Sequence, residues 1–429
     1  MEESTSIEIQ QEPDASKINE NENTEYTQRR IYKVPFHLRK QNEEAYTPQV
    51  ISIGPIHHNK EKFKTMEKHK KRYFESFMQR IDVVVDEINL KNFVKEMEDR
   101  IQRCYVETIE TVPLEQSDGF VKMIILDAIF ILELFLRSYK GSWEIDDPMI
   151  VEAWLYNVVW HELFLLENQL PFFVIDEIYG HALRSCSNSI PLIQLTFNFF
   201  KSLNIHEKSH HKEIQEIQHF TDLLRFFELP PANEILPKRD KVAFPKYSVT
   251  QLHEAGVKFH KCVRDKEASS KCILDLSFEN GVLKIPLLEF QDNTEARIRN
   301  IMALEQCDYR RPKFITDFYL ILDCLINTTK DVDLLSEKGI VVNWLGDSEA
   351  VTTLINRLNR GIFRGDMNSN FSRLSKDLNE YYEKPWHKWQ AILRHQYLST
   401  PWRMDSVIAA IILLVLTLIQ TVCSILQVV

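Results

Sequence analysis

The chain has 429 residues, with 52 Lys and Arg against 62 Asp and Glu and a formal net charge of −10. A content of 44% hydrophobic and 11% aromatic residues is sufficient for a packed core and excludes wholesale disorder. The 10 glycines form no G-x-G and no G-x-x-x-x-G-K, which excludes the phosphate-cradling loops of dinucleotide-binding and P-loop enzymes.

The negative charge is concentrated at the N-terminus. Residues 1–28 hold eight acidic residues and a single lysine, Lys17, and are predicted to be a disordered acidic arm. The rest of the chain is close to neutral, so we expect no nucleic-acid partner. The seven cysteines contain no C-x-x-C pair, so the sequence predicts neither a zinc cage nor a disulfide framework, and no cofactor.

A predominantly α-helical body is predicted over residues 29–404. Apolar residues recur there at i, i+3 and i+4, the pattern of helices with one buried face. In the first predicted helix, over 60–80, the lysines are interpreted as its solvated face. The third, over 118–139, is almost wholly apolar and is interpreted as a central, buried helix. The predicted helices cover residues 60–80, 85–110, 118–139, 147–168, 171–184, 210–228, 294–306, 313–328, 331–338, 347–362 and 371–399.

One segment has the pattern of a β-hairpin instead. Residues 271–290 alternate apolar and polar side chains on both sides of Asn280-Gly281. Both turn residues tolerate positive φ, so they suit the type I′ turn that joins two antiparallel strands.

Polar residues at chain breaks are given structural interpretations. Asp146-Asp147 precede Pro148 and are expected to cap a helix start. Glu167-Asn168-Gln169 stand before the helix-breaking Pro171 and are expected to satisfy free backbone groups at that break. His57-His58 are adjacent residues whose side chains point apart, which favours a turn-packing role over a metal site.

The residues 407–429 contain no charged side chain, and fifteen of these 23 are Val, Ile or Leu. A helix of this length spans about 34 Å, against about 30 Å for the hydrocarbon core of a bilayer. The sequence therefore predicts a single-pass anchor, and the fold class is mainly α, with a large helical body, a small β-hairpin and a C-terminal transmembrane helix. The side chains assigned to lipid contact are Val407, Ile411, Leu414, Leu418 and Val422.

A polar stripe runs along one face of this segment and consists of Thr417, Gln420, Thr421 and Ser424. Such residues join membrane helices through hydrogen bonds, so we expect homo- or hetero-oligomers through the stripe. A buried or interface-lying amphipathic helix is the alternative to a membrane span.

The flanking charges predict the orientation of the body. Lys388, Arg394 and Arg403 precede the apolar segment and no basic residue follows it, so the positive-inside rule predicts a cytosolic body at the plasma membrane or an endomembrane. Glycosylation sequons at Asn327 and Asn370 point the other way.

One catalytic motif is present, an H-E-K-S-H sequence that fits H-E-x-x-H. On a helix, His206 and His210 would lie one turn apart to bind Zn²⁺, with Glu207 as the general base. Glu228 and Glu234 are candidates for a third ligand. The surrounding sequence is uniformly polar, whereas a zinc-binding helix packs an apolar face that holds its ligands. A solvated loop is therefore the preferred interpretation, and a tail-anchored zinc-dependent hydrolase is the alternative function.

Longer motifs follow one another in a fixed order, and together they resemble the large plant family called domain of unknown function 247. They are Ile31–His58, Phe120–Leu134, Trp154–Val174, His219–Arg225, Leu252–Phe259, Phe278–Pro286, Trp386–Leu393, Pro401-Trp402, Leu416-Thr417 and Gln420-Thr421. The resemblance implies a plant-specific, mostly helical protein with a C-terminal membrane anchor and no established enzymatic activity. Some grass members are associated with self-incompatibility, which implies recognition or signalling between proteins at the cell surface.

The sequence therefore favours a membrane-anchored interaction or signalling protein without enzymatic activity, acting in plant recognition of the self-incompatibility type or in defence. Its expected partners are the lipid bilayer and another protein. No catalytic, cofactor-binding or metal-binding residue is assigned under this interpretation.

Overall fold

A computed structural model of the chain describes residues 31–80, 86–106, 117–183, 190–204, 207–209, 217–229, 239–240, 243–262, 276–308, 312–363, 365–392 and 401–428. The acidic arm predicted for residues 1–28 lies outside these ranges. Within them the protein is mainly helical, as the sequence predicts, with seven short strands.

In the first half of the body, the described residues form ten helices. They are α1 (Phe36–Arg39), α2 (Lys64–Arg80), α3 (Glu87–Glu96), α4 (Glu98–Gln102), α5 (Ser117–Lys140), α6 (Pro148–Val151), α7 (Ala153–Glu162), α8 (Phe172–Leu183), α9 (Leu192–Phe199) and α10 (Phe220–Glu228). Three of the predicted helices are each divided in two: 85–110 becomes α3 and α4, 147–168 becomes α6 and α7, and 371–399 becomes two helices, Ser369–Glu383 and Pro385–Ile392.

The described part of the second half contains eight further helices. They are α11 (Val249–Glu254), α12 (Thr294–Cys307), α13 (Phe314–Leu325), α14 (Thr329–Glu337), α15 (Ser348–Leu358), α16 (Ser369–Glu383), α17 (Pro385–Ile392) and α18 (Pro401–Val428). Short 3₁₀ turns occur at Glu61–Phe63 and Lys201–Leu203.

The central helix is α5, and it is buried along most of its length. It packs against α2, α3, α8 and α9. Its two internal carboxylates, Asp127 and Glu133, are buried with it and are paired with basic side chains. Pairing is what permits these charges in an apolar helix, because an isolated buried charge is strongly unfavourable.

The strands form three small sheets. They are β1 (Arg239–Asp240), β2 (Lys258–Lys261), β3 (Ser277–Glu279), β4 (Val282–Ile285), β5 (Leu288–Phe290), β6 (Val341–Asn343) and β7 (Met367–Asn368). β1 pairs antiparallel with β7, β4 lies between β2 and β3, and β5 pairs in parallel with β6.

The β-hairpin is present and is formed by β3 and β4. Phe278 pairs with Leu283, and the turn residues Asn280 and Gly281 have φ of 51° and 77°. Positive φ at both positions is the requirement of a type I′ turn. The hairpin extends into a three-stranded sheet because β2 adds to β4 in parallel, which the local pattern does not reveal.

The apolar core is continuous through the body, with a small second cluster under the N-terminus. The small cluster consists of Val34, Leu38, Ala45, Tyr46, Leu166, Ala303 and Leu304. We call residues 31–58 the N-terminal segment; its residues 34–46 therefore pack against α12 and the connection that joins α7 to α8, while Ile31, Ile51 and Ile53 join the main core.

The prediction of a C-terminal transmembrane helix is wrong. Residues Pro401–Val428 form the long helix α18, but among the described residues no helix combines the length and the apolar character that a membrane crossing needs. The orientation and localisation derived from the anchor stay predictions.

Candidate functional site

The most highly organised polar site lies where α7 ends. Residues 162–169, which we call the connector, follow the last turn of α7 and leave its carbonyl groups without helical partners. The Gln169 side-chain NH₂ donates to the carbonyl oxygens of Leu163 (2.7 Å) and Leu165 (2.8 Å), and the Asn168 NH₂ donates to Glu162 O (2.9 Å). The interpretation of these residues as partners of the free backbone groups is confirmed.

The same side chains also hold the N-terminal segment. The Glu162 carboxylate accepts hydrogen bonds from the backbone N–H groups of Gln49 (2.5 Å) and Ile51 (2.8 Å). The Asn168 oxygen accepts from Ile53 N–H at 2.7 Å. The connector thus supplies acceptors to a stretch of extended chain that has no strand partner of its own in the described residues.

Glu167 is the centre of a buried ionic group. Its carboxylate accepts from Val34 N–H (2.7 Å), from the Arg39 guanidinium and from His57 Nε2 (2.8 Å), and its side chain is fully buried. Lys60 Nζ lies 2.7 Å from His57 Nδ1. We call Arg39, His57, Lys60 and Glu167 the Glu167 cluster.

The cluster fixes the protonation of its members. Burial lowers the pKa of His57, which favours a neutral ring that donates through Nε2 to Glu167 and accepts at Nδ1 from Lys60. Burial alone would raise the pKa of Glu167, but hydrogen bonds from His57 and Arg39 outweigh it and leave the pKa below its ordinary value. Glu167 is therefore a carboxylate near neutral pH.

A second buried pair lies beneath the same segment. Lys70 of α2 and Asp127 of α5 are both buried and 2.6 Å apart, and Gly54 N–H donates to Asp127 at 2.8 Å. Burial raises the pKa of Asp127 to about 6. A Cβ at Gly54, which has a φ of 74°, would collide with the Gln169 carbonyl oxygen, so glycine permits this close approach. Lys70 is an exception to the solvated face predicted for the lysines of α2.

A third buried group joins α2, α5 and α6. Asp147 caps α6 by accepting from Met149 N–H at 2.9 Å, as the sequence predicts. It also accepts from the Tyr73 hydroxyl at 2.8 Å and is paired with Arg137 of α5. The start of α6 is therefore fixed to α2 and α5 by buried side-chain contacts.

The zinc motif falls only partly within the described residues. His206, His210 and Glu234 lie outside them. Glu207 has a φ of 50°, which is left-handed backbone and incompatible with the single helix that the motif needs. Glu228 is buried at the end of α10, 3.6 Å from Arg297. The part of the chain that the structure describes contains no group of three or more His, Cys, Asp or Glu placed to hold a metal ion.

The assignment of lipid contact to five side chains of the C-terminal helix stays a prediction. Ile411, Leu414, Leu418 and Val422 lie on α18 and are between 48% and 70% exposed. The side chain of Val407 lies outside the description. These four side chains are among the large apolar residues that the described chain exposes.

A second apolar surface was not found by sequence reasoning. Ile145, Ile150, Val151 and Trp154 lie within ten residues of chain, between the end of α5 and the start of α7, and all four are exposed. Ile145 is 98% exposed and Trp154 is 56% exposed. We call these four residues the 145–154 patch. Three of the four, Ile150, Val151 and Trp154, fall in the helix predicted over 147–168, whose apolar residues are expected to face the core, so their spacing gives no signal of exposure.

The fold and these sites define a mainly helical protein in which a buried polar connector fixes the N-terminal segment. The chain belongs to the family described as a plant protein of unknown function, domain of unknown function 247, which it matches over residues 31–416. The resemblance stated from the sequence is thereby confirmed.

Two relatives from Arabidopsis thaliana extend along most of the chain. UPF0481 protein At3g47200 is 29% identical over 427 residues, which covers 92% of this chain and 86% of that protein. Putative UPF0481 protein At3g02645 is 23% identical over 495 residues, which covers 91% of this chain and 89% of that protein. No solved structure shows a significant match.

Proposed function

We propose that the protein is an interaction and signalling protein of plant recognition or defence, which acts through its surface and has no catalytic step of its own. The observation that carries the proposal is the 145–154 patch. The patch exposes four large apolar side chains within ten residues of chain. Exposed apolar patches are typical of protein-binding surfaces, and tryptophan is enriched among residues that dominate binding energy.

The edge of the patch suggests the chemistry of the partner. The side chains of Glu144 and Asp146 are 46% and 78% exposed, and Arg72 donates to both at 2.6 Å. Glu152, also exposed, adds a further negative charge beside Val151. A partner protein with an apolar ridge bordered by basic side chains fits this surface, because complementary charge at the rim favours encounter and register.

The support beneath the patch favours binding as well. Asp147, two residues after Ile145, accepts a hydrogen bond from Tyr73 of α2 and pairs with Arg137 of α5. These contacts join the chain at the start of the patch to the two helices. A rigid, preorganised surface loses less conformational entropy on binding than a mobile one. The patch therefore has both of the properties that we expect of a docking surface.

Affinity purification with the full chain from plant tissue, followed by binding measurements with each purified partner, tests this proposal. We expect Trp154→Ala to weaken the binding of a specific partner by about 30-fold or more, the effect of an interface hot spot. Trp344→Ala is the matched control, since Trp344 is 67% exposed on another part of the body. Equal binding by the parent, Trp154→Ala and Trp344→Ala would exclude the patch as the binding surface.

A further inference from the structure

The turn at the start of the 145–154 patch binds three of its four side chains and leaves the fourth in solvent. Asp147 N–H donates to Glu144 O at 3.1 Å, so residues 144–147 form a β-turn with Ile145 and Asp146 at its centre. Glu144, Asp146 and Asp147 are hydrogen-bonded to side chains of α2 and α5. Ile145 lies between these bound residues and is 98% exposed.

One guanidinium binds the residues on both sides of Ile145. Arg72 Nη2 donates to Glu144 Oε2 and to Asp146 Oδ1, both at 2.6 Å, and Arg72 Nη1 donates to the Asp146 carbonyl oxygen at 3.1 Å. The planar fork of an arginine suits several acceptors at once, whereas a lysine offers a single ammonium group. The turn is therefore attached to α2 immediately before and immediately after Ile145.

We propose that Ile145 inserts into an apolar pocket of the partner protein, and that Arg72 is the residue that positions it. This inference rests on the proposed function of the 145–154 patch. An isoleucine that is almost fully exposed can bury nearly its whole side chain in a partner, and a β-branched side chain has few rotamers to lose. A turn that is fixed before binding also loses less conformational entropy than a mobile one.

Charge and positioning predict opposite effects of removing Arg72. The variant Arg72→Gln leaves the carboxylates of Glu144 and Asp146 without this cation, which makes the rim of the patch more negative. If Arg72 acted through charge alone, a partner with a basic border would bind the variant more tightly. If Arg72 positions Ile145, the variant binds more weakly, because the inserted side chain is no longer held in place. The sign of the change in affinity therefore separates the two roles.

Hydrogen–deuterium exchange on the purified full chain tests the positioning without a partner. We expect peptides that cover residues 144–147 to exchange about fivefold faster in Arg72→Gln than in the parent, the effect of losing a partly exposed bidentate pair. Lys68→Gln is the matched control, because it removes a positive charge from the same helix one turn earlier and should leave this exchange unchanged. Equal exchange in the parent and Arg72→Gln would overturn the positioning role.

Binding of the partner protein whose affinity depends on Trp154 tests the insertion. We expect Ile145→Ala to weaken binding about 10-fold or more, since a buried isoleucine contributes that much to affinity. Ile88→Ala is the control, because Ile88 is 68% exposed on α3. Arg72→Gln should also weaken binding, and Ile145→Ala should cost less affinity in the Arg72→Gln background than in the parent.

The contrary results identify which part of the reasoning fails. Parent-like binding by Ile145→Ala would overturn the insertion even where Trp154→Ala confirms the patch. Tighter binding by Arg72→Gln, or an equal cost of Ile145→Ala in both backgrounds, would overturn the positioning role. Equal binding by the parent and Trp154→Ala would remove the proposed function and the insertion together, and the exchange measurement would still decide whether Arg72 holds the turn.

Discussion

Replacing Glu167 by glutamine tests whether the Glu167 cluster holds the N-terminal segment in place. The carboxylate accepts hydrogen bonds from Val34 N–H, Arg39 and His57. A carboxamide has no charge and one acceptor oxygen, and its NH₂ group would face a donor. Losing a charge-assisted bond costs about 1.5–3 kcal/mol and a neutral one about 1 kcal/mol. We therefore expect the free energy of unfolding to fall by about 3–4 kcal/mol, in the range of a broken buried ion pair.

Urea unfolding followed by circular dichroism, at one fixed protein concentration, measures this change. Glu43→Gln is the matched control, because Glu43 lies 3.4 Å from the same Arg39 guanidinium but its side chain is 73% exposed. An exposed pair contributes little, so this variant should change the free energy of unfolding by less than about 0.5 kcal/mol. Each variant neutralises one glutamate that pairs with Arg39, and the two glutamates differ in burial.

The pH dependence provides an independent check. The folded pKa of Glu167 lies below the ordinary value of 4.5, so its stabilisation is complete above about pH 4.5 and is lost as the pH falls through the lowered pKa. The difference in stability between the parent and Glu167→Gln should shrink in that acid range. Equal unfolding midpoints for Glu167→Gln and Glu43→Gln at neutral pH would refute the role assigned to the cluster.

Three further predictions concern single side chains. The lowered pKa of His57 means that its neutral ring stabilises the fold above pH 6.5, and this contribution is lost as the pH falls through the lowered pKa. We therefore expect the melting temperature of His57→Gln to change less than that of the parent between about pH 7 and pH 5. Asn168→Ala removes three buried hydrogen bonds and should lower the free energy of urea unfolding by about 2–4 kcal/mol, against less than about 0.5 kcal/mol for Asn157→Ala on the surface of α7. Gly281→Ala should lower the free energy of unfolding, measured in thermal melts, by about 1–2 kcal/mol more than Gly141→Ala. Both glycines have positive φ, but only at Gly281 does the new Cβ come within 2.9 Å of a hydroxyl oxygen.

Each of these predictions has a contrary result. Parallel pH curves for the parent and His57→Gln would mean that the ring does not titrate differently in the folded and unfolded states. Asn168→Ala and Asn157→Ala with the same midpoint would show that the connector contributes no net stability. A Gly281→Ala variant as stable as Gly141→Ala would mean that the hairpin moves aside to admit the new methyl group.

The local part of the fold could be predicted from the sequence. The periodicity that predicts a helix over 118–139 corresponds to α5, and Asn280-Gly281 is the turn of the β3–β4 hairpin. These features depend on residues close together in the chain, where spacing and turn preference decide the structure. The interpretations of Asp147, Asn168 and Gln169 are confirmed for the same reason, since each bonds to backbone groups a few residues away.

The long-range part could not be predicted in the same way. Glu167 and Arg39 are 128 residues apart, and Lys70 and Asp127 are 57 apart, so no local pattern joins them. One signal was available: Lys70 lies four residues after Met66 and three before Tyr73, on the apolar face of its helix. A lysine in that register needs a buried acid, and Asp127 was the charge that interrupted the most apolar helix.

The internal use of these buried charges supports the proposal that the protein acts through its surface. In the described body, Glu167, Asp127 and Asp147 each meet donors within hydrogen-bonding distance. Turning one of them towards a substrate would leave a buried partner unsatisfied, at a cost of about 1–3 kcal/mol or more. Covering the exposed apolar side chains of the 145–154 patch or of α18 is favourable instead, because the free energy falls when apolar surface leaves water. Association is therefore the process that this arrangement of residues favours.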